Sequence, residues 1–187
     1  DSGGTKVYTK QMGVAGASTV GQSVATDANG NVYVAGYTDG NLDGNTRTGT
    51  RDFFVTKYDS SGTKLYTKQM GAPGAFTYTT GQSVATDATG NVYVAGYTNG
   101  NLDLNTLTGS TDFFVTKYDS SGTKVYTKQM GVAGAATSGY SVATDANSNV
   151  YVAGWTNGNL DLNTVTGAYD FFVTKYDSSG TKVYTKQ

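Results

Sequence analysis

The chain has 187 residues, a formal net charge of −1 at pH 7 and only 14% charged residues. This length allows a hydrophobic core, and the near-neutral charge with scattered lysines argues against nucleic-acid binding. His, Cys and Glu are absent, which excludes disulfides, imidazole or thiolate metal ligands and the usual acid–base and nucleophilic catalysts. No apolar run is long enough to predict a membrane span. We therefore expect a protein that is not an enzyme and requires no cofactor.

An internal repeat dominates the sequence. The eight residues Asp52–Asp59 return unchanged as Asp112–Asp119 and as Asp170–Asp177. The phrase Thr-Lys-Val/Leu-Tyr-Thr-Lys-Gln begins at residues 5, 63, 123 and 181, in steps of 58, 60 and 58 residues. A fixed period of this size is typical of propellers, solenoids and repeat arrays.

In chain order, each period predicts four short strands. In the first period these strands cover residues 23–27, 31–38, 52–59 and 63–69. Tight turns rich in Asn, Ser and Gly follow the first and third strands, and a longer loop of residues 39–51 follows the second. Both faces of the second and third strands are apolar, which suits blades packed between two neighbours. The fourth strand carries two lysines, as an exposed sheet edge requires.

The pattern predicts an all-β protein, a β-propeller made of four-stranded antiparallel blades. Three near-identical blades cover residues 22–70, 82–130 and 140–187. Residues 1–21 hold an outer-strand phrase and a connector that belong to a preceding blade. Because propellers close with roughly 4 to 8 blades, three blades leave an incomplete ring.

Several arrangements would cover the blade faces and strand edges that an incomplete ring leaves exposed. Two copies would close a six-bladed ring as a homodimer, or further blades of a longer parent chain would supply the remainder. A third arrangement donates Thr5–Gln11 to a neighbouring molecule and builds a fibre. The first residue, Asp1, lies inside a turn phrase, which suggests a piece of a longer protein or a processed product.

Two phrases of the repeat resemble a known family. Ser-Val-Ala-Thr-Asp-Ala-Asn-Gly-Asn-Val-Tyr-Val-Ala-Gly-Tyr-Thr at 23–38 and Asp-Phe-Phe-Val-Thr-Lys-Tyr-Asp-Ser-Ser-Gly at 52–62 are similar to the bacterial SBBP β-propeller repeat, a seven-bladed-type family. The resemblance extends over all three periods. It implies four-stranded blades in secreted or cell-surface bacterial proteins, and it brings no catalytic residues. The near identity of the copies departs from the family pattern and suggests recent amplification or design.

The long loop between the second and third strands carries an alternating ladder of side-chain oxygens. Its members are Asp39, Asn41, Asp43 and Asn45, then Asn99, Asn101, Asp103 and Asn105, then Asn157, Asn159, Asp161 and Asn163. We predict that these loops form the ligand-binding surface. Such oxygens also suit calcium, which predicts a site at Asp39, Asp43, Asp103 and Asp161. The simpler interpretation is that the ladder forms Asx turns and caps strand ends.

Other polar residues recur for reasons that favour structure. Asp27, Asp87 and Asp145 precede the hairpin turns and are expected to accept turn N–H groups. Lysines 57, 117 and 175 lie on apolar faces, where we expect the ammonium at the ring edge or paired with an Asp. Trp155 replaces the tyrosine of the other copies, and Arg47 and Arg51 occur only in the first copy, so they either mark a site or reflect drift.

The sequence thus predicts a non-enzymatic extracellular module for recognition or scaffolding through repeated surface loops. A glycan, a surface protein or a second copy of the chain would be its partner, with weak contacts strengthened by multivalency. The alternative is a structural, self-assembling or engineered repeat protein whose strands and blade edges form oligomers or filaments.

Overall fold

The computed structural model describes residues 2–187, and Asp1, part of the predicted segment 1–21, lies outside the described residues. Three antiparallel sheets of four strands follow one another along the chain, each in sequential strand order. The first contains β1 Thr19–Thr26, β2 Val32–Thr38, β3 Asp52–Tyr58 and β4 Lys64–Met70. The second contains β5 Thr79–Thr86, β6 Val92–Thr98, β7 Asp112–Tyr118 and β8 Lys124–Met130. The third contains β9 Thr137–Thr144, β10 Val150–Thr156, β11 Asp170–Tyr176 and β12 Lys182–Lys186.

These sheets are the predicted blades, and the prediction of an all-β, four-stranded antiparallel architecture is confirmed. Single 3-10 turns, Leu42–Gly44 and Leu160–Leu162, interrupt two of the long loops. In the part of the chain that the structure describes, no helix is long and apolar enough to cross a membrane.

The first strand of each blade begins earlier than the sequence predicted. β1 starts at Thr19 and passes through a bulge between Gly21 and Ser23 before it continues along β2. Gly36 of β2 faces this bulge so closely that an added Cβ would lie 1.9 Å from the Val20 carbonyl oxygen. A side chain at position 36 would therefore prevent the pairing, and residues 19–21, which the sequence assigned to the connector, belong to the strand.

The blades pack against one another through aromatic side chains of their third strands. The ring centroids of Phe53 and Phe114 are 5.0 Å apart, and those of Phe113 and Phe172 are 4.9 Å apart. Every residue of β7, in the middle blade, is buried. The prediction that this strand is covered on both faces is confirmed where a blade has two neighbours.

The first strands form the inner edge, where neighbouring blades exchange hydrogen bonds. The Val84 N–H donates to Ser23 Oγ over 3.2 Å, and the Thr86 hydroxyl donates to the Thr26 carbonyl over 2.9 Å. Blade 3 repeats both contacts on blade 2. Within residues 2–187 the array stays open, because no further blade lies against the outward sides of blades 1 and 3.

Residues 5–11 form no strand, although they carry the outer-strand phrase. They nevertheless lie on blade 1 as β4 lies on blade 2. A Cβ added to Gly62 would meet Lys10 and Tyr8, just as one added to Gly122 would meet Lys68 and Tyr66. The segment therefore occupies the place of a preceding blade's outer strand.

Candidate functional site

The long loops occupy one end of the blades, together with the connectors between blades, and we call this end the loop rim. It consists of residues 39–51, 99–111 and 157–169 with connectors 13–18, 71–78 and 131–136. The tight turns that join the first to the second strand and the third to the fourth lie at the opposite end. Each predicted site residue of the ladder lies on the loop rim.

The first two positions of the ladder bind backbone N–H groups. Asp39 Oδ1 accepts from the Ser18 N–H over 2.6 Å, and Asn41 Oδ1 accepts from the Arg47 N–H over 2.9 Å. The other copies repeat these bonds from Tyr78 and Ala136 to Asn99 and Asn157, and from Leu107 and Val165 to Asn101 and Asn159. These oxygens hold the loop to the connector and to itself.

The last two positions attach the loop to the outer strand. Asp43 forms an ion pair with Lys64, which lowers the pKa of that carboxyl, and Asn45 Nδ2 donates to the Leu42 and Thr67 carbonyls. Asp43 has φ of 53°, a left-handed conformation that Asp tolerates better than most residues. The equivalent residues are Asp103 with Lys124, Asp161 with Lys182, Asn105 and Asn163.

Asp52, the first residue of β3, also binds groups of the long loop that precedes it. Its carboxylate accepts from the N–H groups of Thr48 and Gly49 and from Gln69 Nε2. Among residues 2–187, no three acidic side chains gather where a metal ion would be held. Calcium binding at Asp39, Asp43, Asp103 and Asp161 stays a prediction, and hydrogen bonding within the loop accounts for these residue types.

The hairpin aspartates accept turn N–H groups as predicted. Asp87 accepts from the backbone N–H groups of Thr89 and Asn91, from Asn91 Nδ2 and from the Tyr93 hydroxyl. Burial raises the pKa of Asp87, but hydrogen bonds from Asn91, Thr89 and Tyr93 outweigh it and lower the pKa to about 2. Burial and the same carboxylate raise the pKa of Tyr93. These hydrogen bonds hold the hairpin turn in place.

The lysines on the apolar faces bind the next blade. Lys57 Nζ donates to the Ser120 carbonyl over 3.1 Å, and Lys117 Nζ donates to the Ser178 carbonyl over 3.0 Å. Both ammonium groups lie near tyrosine rings, at 5.2 Å from Tyr33 and 5.4 Å from Tyr93. The sequence left the ring edge and an Asp partner as alternatives, and the structure places a backbone carbonyl of the next blade against these ammonium groups, so Lys57 and Lys117 join blades.

A groove on the loop rim lies between blades 1 and 2. It has a volume of about 370 Å³ and is lined by Asp39, Thr50, Arg51, Phe76, Tyr78 and Tyr97. The Arg51 guanidinium lies 4.1 Å from the centroid of the Tyr37 ring. Phe76 is 90% exposed, because it belongs to the connector that is two residues longer than its counterparts.

The walls of the groove are fixed by the backbone. The Thr50 N–H donates to the Thr77 carbonyl over 2.7 Å, and the Thr79 N–H donates to the Arg51 carbonyl over 2.8 Å. Arg51 and Tyr78 therefore face each other from paired segments. Tyr78 in turn packs edge-on against Tyr97, with centroids 6.1 Å apart, and burial raises the pKa of Tyr78.

Aromatic rings continue along the rim beyond the groove. Tyr97 lies 6.2 Å from Tyr140, and Trp155 packs edge-on against Tyr169 at 4.8 Å. Most of these side chains have a different residue at the equivalent position of another copy. Gln22 and Gln82 correspond to Tyr140, Ser18 and Ala136 to Tyr78, and Arg51 and Thr111 to Tyr169. Two of the three residues noted in the sequence, Arg51 and Trp155, thus each pack against an aromatic ring.

The comparisons with known proteins concern the repeat and the fold. The SBBP family, described as a beta-propeller repeat, matches residues 7–43, 65–103 and 125–161. No match is found among curated proteins.

Two solved structures are similar to this chain at low sequence identity. A crystal structure of a eukaryotic initiation factor is 9% identical with a TM-score of 0.46, covering 89% of this chain and 32% of its own. A protein of unknown function from Bacteroides caccae is 13% identical with a TM-score of 0.39, covering 92% of this chain and 68% of its own. This chain therefore spans about a third of the first structure, and neither likeness carries a functional argument. The three matches of the repeat, which together cover more than half of the sequence, show that the chain belongs to the SBBP beta-propeller repeat family.

Proposed function

We propose that this chain is a non-enzymatic, extracellular recognition module that binds a glycan chain in the groove between blades 1 and 2. The observation that carries the proposal is the convergence of Arg51, Phe76, Tyr78 and Tyr97 in one groove of the loop rim. The extracellular location rests on the resemblance to the SBBP repeats. The absence of His, Cys and Glu supports a role without catalysis.

The pattern of differences among the copies favours this surface. Third strands are identical in all three blades, because each must fit its neighbours. The groove instead combines Arg51, unique to the first copy, with Phe76 and Tyr78 from the longer connector. Large aromatic side chains kept in contact with solvent lose hydrophobic stabilisation, so their concentration on one rim fits a binding role.

The chemistry of the groove suits a sugar. Tyrosine and phenylalanine rings offer flat apolar faces to the C–H groups of a pyranose, and tyrosine adds a hydroxyl. Arg51 and Asp39 supply a donor and an acceptor for sugar hydroxyls. A volume of about 370 Å³ is within the range of small-ligand sites, roughly 300–1,000 Å³.

The long loops contribute by holding the groove in shape. Thr50 and Arg51 end the loop in which Asp39 and Asn41 bind backbone N–H groups. A groove fixed in this way loses little conformational entropy when it binds. The ladder residues other than Asp39 therefore act as a frame, and the aromatic residues, Arg51 and Asp39 act as the contact surface.

A glycan array probed with the labelled protein tests this proposal. Wild-type protein should bind a subset of immobilised polysaccharides, and Tyr97→Ala and Arg51→Ala should each weaken that binding about tenfold, the equivalent of ~1.4 kcal/mol. Tyr184→Ala is the matched control, because Tyr184 is also partly exposed but lies on the outer strand β12. Absence of glycan binding, or equal losses in all three variants, would overturn the proposal. Retention of a surface protein without any glycan would also contradict it.

A further inference from the structure

The outward faces of blades 1 and 3 are exposed, whereas the equivalent faces at the two junctions between blades are buried. At the outward side of blade 3, Phe171 is 77% exposed, whereas its equivalents Phe53 and Phe113 are fully buried. At the outward side of blade 1, Val24 is 66% exposed, whereas its equivalent Val84 is 5% exposed. We call these surfaces the tail face (blade 3) and the head face (blade 1).

We infer that the tail face of one copy docks on the head face of a second copy, and that the first segment of the second copy, Thr5–Gln11, becomes the outer strand of the docked blade. The head face contains a cleft of about 380 Å³, whose lining includes Val32, Val34 and Phe54 from the blade, Tyr8 from the first segment and Met12 directly after it. The two junctions between blades within the chain show which surface fits this cleft. In each of them, the face equivalent to the tail face packs against the face equivalent to the head face.

The aromatic contacts of those junctions have their equivalents on the two faces. Phe53 packs on Phe114 at 5.0 Å, and Phe113 packs on Phe172 at 4.9 Å. The first Phe of one blade thus packs on the second Phe of the next blade. At the equivalent positions of the docked pair, Phe171 of the tail face would pack on Phe54 of the head face. Docking would therefore bury Phe171 in the environment that its two equivalents occupy.

The polar contacts are matched as well. Lys57 and Lys117 donate to the carbonyls of Ser120 and Ser178, so Lys175 is placed to donate to the Ser60 carbonyl of the second copy. At the inner edge, the Val84 N–H donates to Ser23 Oγ and the Val142 N–H donates to Ser83 Oγ. The Val24 N–H of the second copy would accordingly donate to Ser141 Oγ of the first.

At this junction, two strands would need the same position against Gly62. Tyr8 and Lys10 lie against Gly62 as Tyr66 and Lys68 lie against Gly122. In the docked pair, Tyr184 and Lys186 of β12 would need the same place against Gly62. Only one strand fits, because a Cβ on Gly62 would already lie 2.9 Å from Lys10 Cε.

Exchange of strands resolves this conflict. Thr5–Gln11 and Thr181–Gln187 are identical in all seven residues, so either segment makes the same ladder with β11. If Thr5–Gln11 stays and pairs with β11 of the other copy, it keeps its contacts with Gly62 and the contact between Met12 and Thr67. If it leaves, the Met12 contact is lost. Replacing β12 of the first copy by Thr5–Gln11 of the second copy therefore preserves more of the observed contacts than removing Thr5–Gln11 would.

Two such junctions close the assembly. The contact is heterologous, since it joins a head face to a tail face, and heterologous contacts give rings when the rotation closes. Two copies contribute six blades, within the range of roughly 4 to 8 that propellers use.

A disulfide between Thr9→Cys and Thr174→Cys tests the exchange. In β11 and β12, Thr174 and Thr185 are paired and their hydroxyl oxygens are 3.1 Å apart. Thr9 takes the place of Thr185 after exchange, so the two cysteines would meet only between copies. The sequence has no native Cys, so the pair is the sole source of cross-linking. Oxidised protein should run as a covalent species of twice the chain mass on a non-reducing gel.

Two control variants separate exchange from chance contact. Thr116 of the middle blade pairs with Thr127 just as Thr174 pairs with Thr185, so Thr9→Cys with Thr116→Cys should give no cross-link above background. Adding Phe171→Asp to the test pair should abolish the cross-link while thermal unfolding stays cooperative. A monomeric test pair, equal cross-linking by the Thr116 control, or persistence with Phe171→Asp would each overturn the inference.

Discussion

Strands β7 and β11 have the same seven residues and different surroundings. In the middle blade, all seven residues Asp112–Tyr118 are buried. In blade 3, the same sequence alternates, with Phe171 77% exposed and Phe172 fully buried. The apolar residues on both faces of this strand are therefore fully buried when the blade has a neighbour on each side. The end blade has one neighbour, so one face of the same strand stays exposed. Substitutions at matched positions of the two blades measure this difference directly.

The largest contrast is expected for the first phenylalanine of the strand. Phe113→Ala removes a fully buried ring that packs on Phe172, and should cost about 3–5 kcal/mol of unfolding free energy. Phe171→Ala in dilute protein should cost under about 0.5 kcal/mol, because the ring is mostly exposed. Urea denaturation of both variants gives the two values. Equal costs would show that the third blade is not open as described.

The hairpin aspartates provide the next contrast, and it depends on pH. Asp87→Ala leaves the N–H groups of Thr89 and Asn91 and the Tyr93 hydroxyl without their acceptor, at a cost of about 1–3 kcal/mol. Asp145→Ala, in the less covered blade, should cost less.

The sign of the pH effect follows from the lowered pKa of Asp87. The folded-state pKa of about 2 lies below the ordinary 3.8, so its stabilisation is present above pH 3.8 and is lost as the pH falls towards 2. The difference in unfolding free energy between wild type and Asp87→Ala should therefore shrink over that interval. A difference that stays constant from pH 5 to about pH 2 would contradict the assignment.

A smaller contrast is expected for the lysines that join blades. Lys117→Met removes the bond to the Ser178 carbonyl and should cost about 1 kcal/mol at neutral pH. Lys175→Met has no following blade within the chain and should change the stability of dilute protein very little. Chemical denaturation at low protein concentration compares the two, and a larger cost at Lys175 would reverse the interpretation.

The smallest effect is expected from calcium. The Asp39 and Asn41 oxygens already accept from backbone N–H groups and the Asp43 carboxylate already pairs with Lys64, so millimolar calcium should leave the melting temperature unchanged. Differential scanning fluorimetry with calcium and then with a chelator tests this. A rise that the chelator reverses would establish a calcium site, since a ligand that binds only the folded state stabilises it.

Much of the fold could be predicted because the same pattern of strands and turns occurs three times in the sequence. Identical phrases separated by Asn- and Gly-rich turns gave the strands, and the turn role of Asp87 followed from its position before the hairpin. The early start of β1 could not be predicted, because the bulge beside Gly36 depends on a close approach between two strands.

The candidate groove was harder to predict than the loops around it. Arg51, Phe76, Tyr78 and Tyr97 come from three parts of the sequence and meet only when blades 1 and 2 pack together. The signals available were the two-residue insertion in the connector and the residues unique to one copy. The ladder residues were predicted to bind a ligand because they recur in every copy. They recur because each loop uses the same hydrogen bonds to hold its shape.

The native mass in solution tests the central claim, that each end face is built to receive a further blade and that a second copy supplies it. Light scattering after size exclusion should give twice the chain mass of 19.5 kDa for the wild type, and the mass of one chain for Phe171→Asp. A wild type that stays at the mass of one chain at every concentration would contradict the claim.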